Sequence, residues 1–128
     1  MARLRDVVFD SGSPAATAHF WAAALEGYAV APYDDAELAR LRALGVTDVA
    51  DDPTVLVEPT EGGPRLWFQR VPEGKVVKNR VHLDLLAPDL EGEIRRLTGL
   101  GATVQARHAD HVVLADPEGN EFCLAPEG

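Results

Sequence analysis

The sequence has a single cysteine, Cys123, so no disulfide can form within the chain and nothing in it requires an oxidising compartment. Positive charge is scarce. Twelve Lys and Arg against 21 Asp and Glu leave a net charge of −9 at pH 7, which argues against a general affinity for nucleic acid or anionic lipid. Long apolar runs are missing too: the richest, "FWAAALEGYAVAP", is broken by Glu26, Gly27 and Pro32 before it reaches the ~20 residues of a membrane span. Near the N-terminus Asp6 and Asp10 leave no room for the apolar core of a signal peptide. The expected setting is cytoplasmic, with neither nucleic acid nor membrane as partner. No nucleophile elbow, phosphate loop, paired-cysteine or zincin motif occurs, and "GLGATV" reads as a helix stop, not a dinucleotide fingerprint.

What the chain does have is a plan used twice. Its 128 residues, 46% hydrophobic and 26% charged, suit one folded domain with a real core. "RLRDVVFD" reads as a strand, and "SGSPAATAHFWAAALEG" as a helix with Ser13 as cap, Pro14 in the first turn and Gly27 as stop. "NRVHLDLL" and "APDLEGEIRRLTGLG" repeat that order, with Leu90, Ile94 and Leu97 on one helical stripe and Gly101 as stop. Pro14 and Pro88 stand as far apart as Gly27 and Gly101. Three candidate strands follow each helix: 28–31, 54–58 and 65–71 in the first half, and 102–106, 111–115 and 121–125 in the second. "DDAELARLRALG" inserts a short helix in the first half, with Asp34 as cap and Glu37 three residues on. The expectation is α+β: a single domain over 1–128, built of two βαβββ modules at about 1–72 and 79–126, with the helices on the outer face of a curled mixed sheet.

Strand parity then sorts the side chains. Val81, Leu83 and Leu85 share one face with a helix to cover it, as do Phe122 and Leu124 in their strand. The opposite face collects Asp6, Asp10, Trp67, Gln69, His82, Asp84, Glu121 and Cys123. An antiparallel sheet often turns such a face to water. Cysteine and tryptophan suit a wetted surface poorly, however, and a concave sheet with a few polar groups and one large aromatic fits a small organic molecule. Asp6, Trp67, Gln69, His82, Asp84, Glu121 and Cys123 are the expected ligand-binding residues.

"LRDVVFDSGSPAATAHFWAAALEG", "FQRVPEGKVVKNRVHLDL" and above all "DPEGNEFCL" resemble the vicinal oxygen chelate superfamily, the glyoxalase, bleomycin-resistance and extradiol-dioxygenase group, in its glyoxalase-like branch. The resemblance covers nearly the whole chain. It implies paired βαβββ modules curling into a cup, usually with a divalent metal held by His or Glu from the first and last strands of each module. Those four places fall on Asp6, Gln69, His82 and Cys123, of which His82 alone keeps the family's type. Glyoxalase chemistry needs a metal with open positions and a carboxylate base, and Gln69 cannot act as that base. A thiolate at Cys123 would be disfavoured beside Glu121 and Asp84. Glyoxalase I activity is therefore not expected.

The sequence reading is a cup without a metal cofactor that binds or sequesters a small organic compound, with Trp67 as a stacking surface. The alternative is a metal-dependent lyase, isomerase or dioxygenase using a rearranged set, since Asp, His and Cys all ligate zinc. Whether any reaction is catalysed stays open at this level. Lys75, Lys78 and Arg80 read as a solvated basic loop, while Phe20 and Trp21 read as helix packing. The resemblance and the open sheet edges together lead to an expected homodimer.

Overall fold

The computed structural model describes residues 1–128, which form two compact units, Met1–Gly74 and Lys75–Gly128. Unit 1 runs β1 (Asp6–Ser11), α1 (Pro14–Ala24), β2 (Tyr28–Val30), α2 (Asp35–Ala43), a 3-10 turn at Val49–Asp51, β3 (Thr54–Pro59) and β4 (Arg65–Arg70). Unit 2 runs β5 (Leu83–Ala87), α3 (Leu90–Gly99), β6 (Thr103–Arg107), β7 (Val112–Ala115) and β8 (Glu121–Pro126). Each unit holds one four-stranded mixed sheet, in the order β1-β4-β3-β2 or β5-β8-β7-β6. The first and last strands of each unit pair in parallel, and the other neighbours are antiparallel. The α+β reading with its doubled βαβββ plan is therefore what the chain forms.

Alternation explains the packing. In β4, Leu66 and Phe68 are buried while Arg65 and Trp67 stay half-exposed; in β8, Phe122 and Leu124 are buried against half-exposed Glu121 and Cys123. The buried face of sheet 1 meets α1. Phe9 stacks on Phe68 with ring centres 5.0 Å apart and lies 5.6 Å from Trp21, and Phe20 meets Trp21 edge-on at 5.4 Å. Burying a side chain of this size contributes about 1.5–3 kcal/mol each. The equivalent core of unit 2 gathers Leu114, Phe122 and Leu124 with Ile94 and Leu97 from the apolar stripe of α3.

Local signals behave mostly as their chemistry dictates. Asp34 caps α2 by accepting the Glu37 N–H at 2.9 Å, and Asp89 caps α3 through Gly92 N–H at 3.1 Å. Gly27 and Gly101 adopt φ +74° and +118°, which costs a glycine nothing, so both stops lie where expected. Ser13 does not cap α1 with its side chain. Instead the buried Ser11 hydroxyl accepts the Ser13 N–H at 2.9 Å and bonds the Thr17 hydroxyl at 3.0 Å, tying the end of β1 to the helix. A second departure is that β5 begins at Leu83, leaving Val81 and His82 in the segment before it. Val81 is exposed and joins no core.

Candidate functional site

The "ADPEGNEF" turn leads into β8 and is wound around one buried carboxylate. Asp116 accepts from the backbone N–H groups of Glu118 and Asn120 at 2.9 Å each and from the Asn120 amide at 3.1 Å. That anchoring sets the register of β8, so Glu121 and Cys123 leave the sheet on its polar face. The two then serve different partners. Glu121 accepts Lys75 Nζ at 3.0 Å and the Asn79 backbone N–H at 3.0 Å. The Asn79 hydrogen bond, with Lys75 adding to it, holds the Glu121 carboxyl at about 2, far below its usual range.

Cys123 stands opposite Asp84 across the β5–β8 ladder. Burial pushes its thiol up, and the charge and hydrogen bond of Asp84 push it further, so the thiol form is favoured. His82 reaches into the same place from just before β5, with Nδ1 3.1 Å from Asp84 Oδ1. One nitrogen, one oxygen and one sulfur donor from His82, Asp84 and Cys123 lie within 4.8 Å of one another, with His82 and Asp84 exposed and Cys123 half-buried. These donor types fit a borderline-soft ion such as zinc and do not suit magnesium or calcium, which take oxygen. Any such ion would first have to displace the Cys123 proton, while His82 can offer Nε2 with its Nδ1–Asp84 hydrogen bond intact.

Sheet 1 arranges its polar face differently. Asp6 lies opposite Arg65 and is gripped by it, Nε at 2.7 Å and Nη2 at 3.1 Å, with Arg5 Nε at 2.9 Å. The Arg65 hydrogen bonds hold the Asp6 carboxyl below its ordinary range. Asp6 is therefore committed to guanidinium partners and is not the strand neighbour of Gln69. That neighbour is Asp10, whose Oδ1 accepts Gln69 Nε2 at 2.9 Å. Asp10 had been placed on this face by parity but not among the ligand-binding residues. Its position beside Gln69 matches that of Asp84 beside Cys123, because Phe9 pairs with Phe68 as Leu83 pairs with Phe122.

Trp67 stands on β4 between Arg65 and Gln69, with the Arg65 Cζ 5.8 Å from its ring centre. Beside it opens a cavity of about 260 Å³, lined by Trp67, Leu56 and Thr54 of the sheet, by Ala31, Pro32 and Tyr33, by Glu37 and Arg40 of α2, and by Asp52. Asp52 is 1% exposed, yet its carboxylate is well supplied with donors. It accepts the Tyr33 hydroxyl at 2.7 Å, Arg40 Nη2 at 3.3 Å and the Thr54 N–H at 3.0 Å. Burial, reinforced by this carboxylate, pushes the Tyr33 hydroxyl up, so it stays a phenol. The inserted helix thus walls a cavity over the polar face. Sequence reading missed Tyr33, Arg40 and Asp52, since nothing in "PYDD" or "ADDP" signals that a loop aspartate will be buried.

A family model described as "Glyoxalase-like domain" matches residues 6–125. The chain belongs to this family. The resemblance to the vicinal oxygen chelate superfamily is thereby borne out. No curated protein matches the chain. Among solved structures, a glyoxalase/bleomycin resistance protein/dioxygenase family enzyme from Burkholderia phytofirmans PsJN is 14% identical, with 98% of each chain covered and a TM-score of 0.68. The fosfomycin resistance protein FosX from Mesorhizobium loti is 11% identical, covering 98% of this chain and 91% of its own, with a TM-score of 0.66. A possible glyoxalase from Bacillus cereus is 13% identical, covering 98% and 99%, with a TM-score of 0.65. At these identities the glyoxalase-like chain shares their fold, and the function must be argued from its own side chains.

The Glu121 pair gives a defined pH dependence. Its folded-state value lies below the 4.5 of an unconstrained glutamate, so the pair adds stability above about pH 4.5 and loses it as pH falls toward 2. Urea unfolding should find Glu121→Gln less stable than the parent at neutral pH, with the gap closing across that acid window. A gap that stays constant down to pH 2 would show the carboxylate to be uninvolved.

Proposed function

We propose that this glyoxalase-like protein binds or sequesters a compact organic molecule on the polar sheet face around Trp67, without glyoxalase I activity. One observation carries the reading: the cavity of about 260 Å³ in which an aromatic ring, aliphatic side chains and a few oriented polar groups converge. Small-molecule sites have that composition, with an apolar lining for affinity and sparse polar groups for orientation. Against glyoxalase chemistry stands the position where a carboxylate base is required. Gln69 is an amide there, and it already donates to Asp10. In unit 1 the proposed binding residues are Asp6, Trp67 and Gln69, to which Asp10, Tyr33 and Arg40 are added, and for unit 2 taken by itself they are His82, Asp84, Glu121 and Cys123. Asp6 and Glu121 serve by fixing their neighbours, since their carboxylates are engaged in ion pairs.

A second reading has its own observation. The His82, Asp84 and Cys123 donors support a metal-dependent lyase, isomerase or dioxygenase that has rearranged the family's ligand set within one unit. On this reading the ion supplies Lewis acidity, while Asp84 orients His82 and keeps the unloaded thiol protonated. The chain is further proposed to work as a homodimer, because each four-stranded sheet has two edge strands that need cover.

Three measurements test these proposals. Titration with aromatic and carbonyl compounds should change Trp67 emission and leave the buried Trp21 silent, so Trp67→Phe removes the signal and Trp21→Phe keeps it. Silence of Trp67 across a broad panel would sink the binding reading. Added Co²⁺ should give no thiolate charge-transfer absorption if the metal-free reading holds. A stoichiometric band lost in both His82→Ala and Cys123→Ser would instead establish the metal reading. Light scattering at micromolar concentration should return twice the 13.8 kDa chain mass, and a monomer would end the dimer proposal.

A further inference from the structure

The charge of the cavity wall narrows what the proposed ligand can be, an inference that rests on the small-molecule reading above. Three ionic groups line it, Glu37, Arg40 and Asp52, two acids against one base. The base is already engaged. Arg40 places Nε on Glu37 Oε2 at 3.0 Å and Nη2 on Asp52 at 3.3 Å, so its charge is matched twice over. Asp52 in turn is filled by Tyr33, Arg40 and the Thr54 N–H.

The ionic capacity left over is that of an acceptor. Tyr33 spends its proton on Asp52 and keeps its oxygen lone pairs, while Glu37 Oε1 makes no hydrogen bond to the protein. Among the donors, Arg40 Nη1 belongs to a guanidinium already paired with two carboxylates, while the Thr54 hydroxyl and the Trp67 indole N–H are neutral. Beside these acceptors lies the Trp67 ring, which attracts cations and already holds the Arg65 guanidinium 5.8 Å from its centre. The overall charge of −9 adds a long-range field of the same sign. The volume, about 260 Å³, falls below the ~300–1,000 Å³ of drug-sized sites, so the occupant is small.

We propose that this cavity selects a small arylalkylamine in its protonated form, with the ring against Trp67 and the ammonium facing Glu37 and the Tyr33 oxygen. Anionic aromatics of the same size, whether carboxylates or phosphates, are excluded by the same wall.

Calorimetry on the full chain with three probes of one ring and similar length decides it: phenethylamine, phenethyl alcohol and hydrocinnamate. Phenethylamine should bind most tightly, about tenfold better than hydrocinnamate at physiological salt. Glu37→Gln should remove most of that margin by weakening the amine alone, whereas Trp67→Ala should weaken the amine and the alcohol together. Glu37 caps no buried group and its side chain is 45% exposed, so this variant should fold normally. Hydrocinnamate binding as well as the amine would overturn the charge assignment and leave the small-molecule reading standing. Amine binding indifferent to both substitutions would place it elsewhere and overturn the proposal. No binding by any probe, with Trp67 emission unchanged across the broader panel, would overturn both.

Discussion

Each unit depends on the parallel pairing of its first and last strands. That pairing brings Phe9 opposite Phe68 and Leu83 opposite Phe122, and it makes the last strand a central one. A slip of one residue would send both phenylalanines to the polar face and bring Trp67 or Cys123 into the core. Parallel neighbours must also be far apart in sequence, so a helix and two further strands have to be accommodated before the ladder closes. The buried carboxylate of Asp116, in the turn before β8, secures this register from the other side.

The polar faces that result are chemically unequal. Unit 1 sets guanidinium groups on two of its acids, Arg65 on Asp6 and Arg40 on Asp52, and leaves Trp67 as the contact surface. Unit 2 sets a carboxylate beside a thiol and an imidazole, where burial and like charge favour the protonated sulfur. The first arrangement presents a formed cavity, and the second presents a cluster of ligating atoms. Hence binding by shape is argued from unit 1, and any metal chemistry from unit 2.

The fold was legible because periodicity, caps and stops agreed with one another at nearly every element. Pro14, Gly27 and Gly101, the Asp34 cap, and the alternation through Phe68 and Phe122 each point to one local structure, and together they give the repeat. The site was legible only where a residue's role follows from which face it occupies. Parity brings out Trp67, Asp84 and Cys123, but it cannot say how far along β1 the partner of Gln69 lies; the family resemblance points to Asp6, whereas the ladder pairs Gln69 with Asp10. Ladder register depends on the whole crossover and leaves no trace in a single strand. The cavity wall was the least legible part. Tyr33, Arg40 and Asp52 come from an insertion whose composition, polar and acid-rich, reads as solvated loop until tertiary structure buries it.

The segment before β5 carries a consequence for how the chain can be divided. Lys75 and the Asn79 backbone both hold Glu121 of β8, and the Asn79 side chain donates to Asn120 Oδ1 at 2.9 Å. The stretch between the modules is therefore a strap buckled onto the second, and the boundary falls at Gly74 and Lys75, ahead of the repeat's own first strand. A fragment begun at Asn79 would discard the lysine that closes the buckle, whereas one begun at Lys75 would carry its own fastening with it.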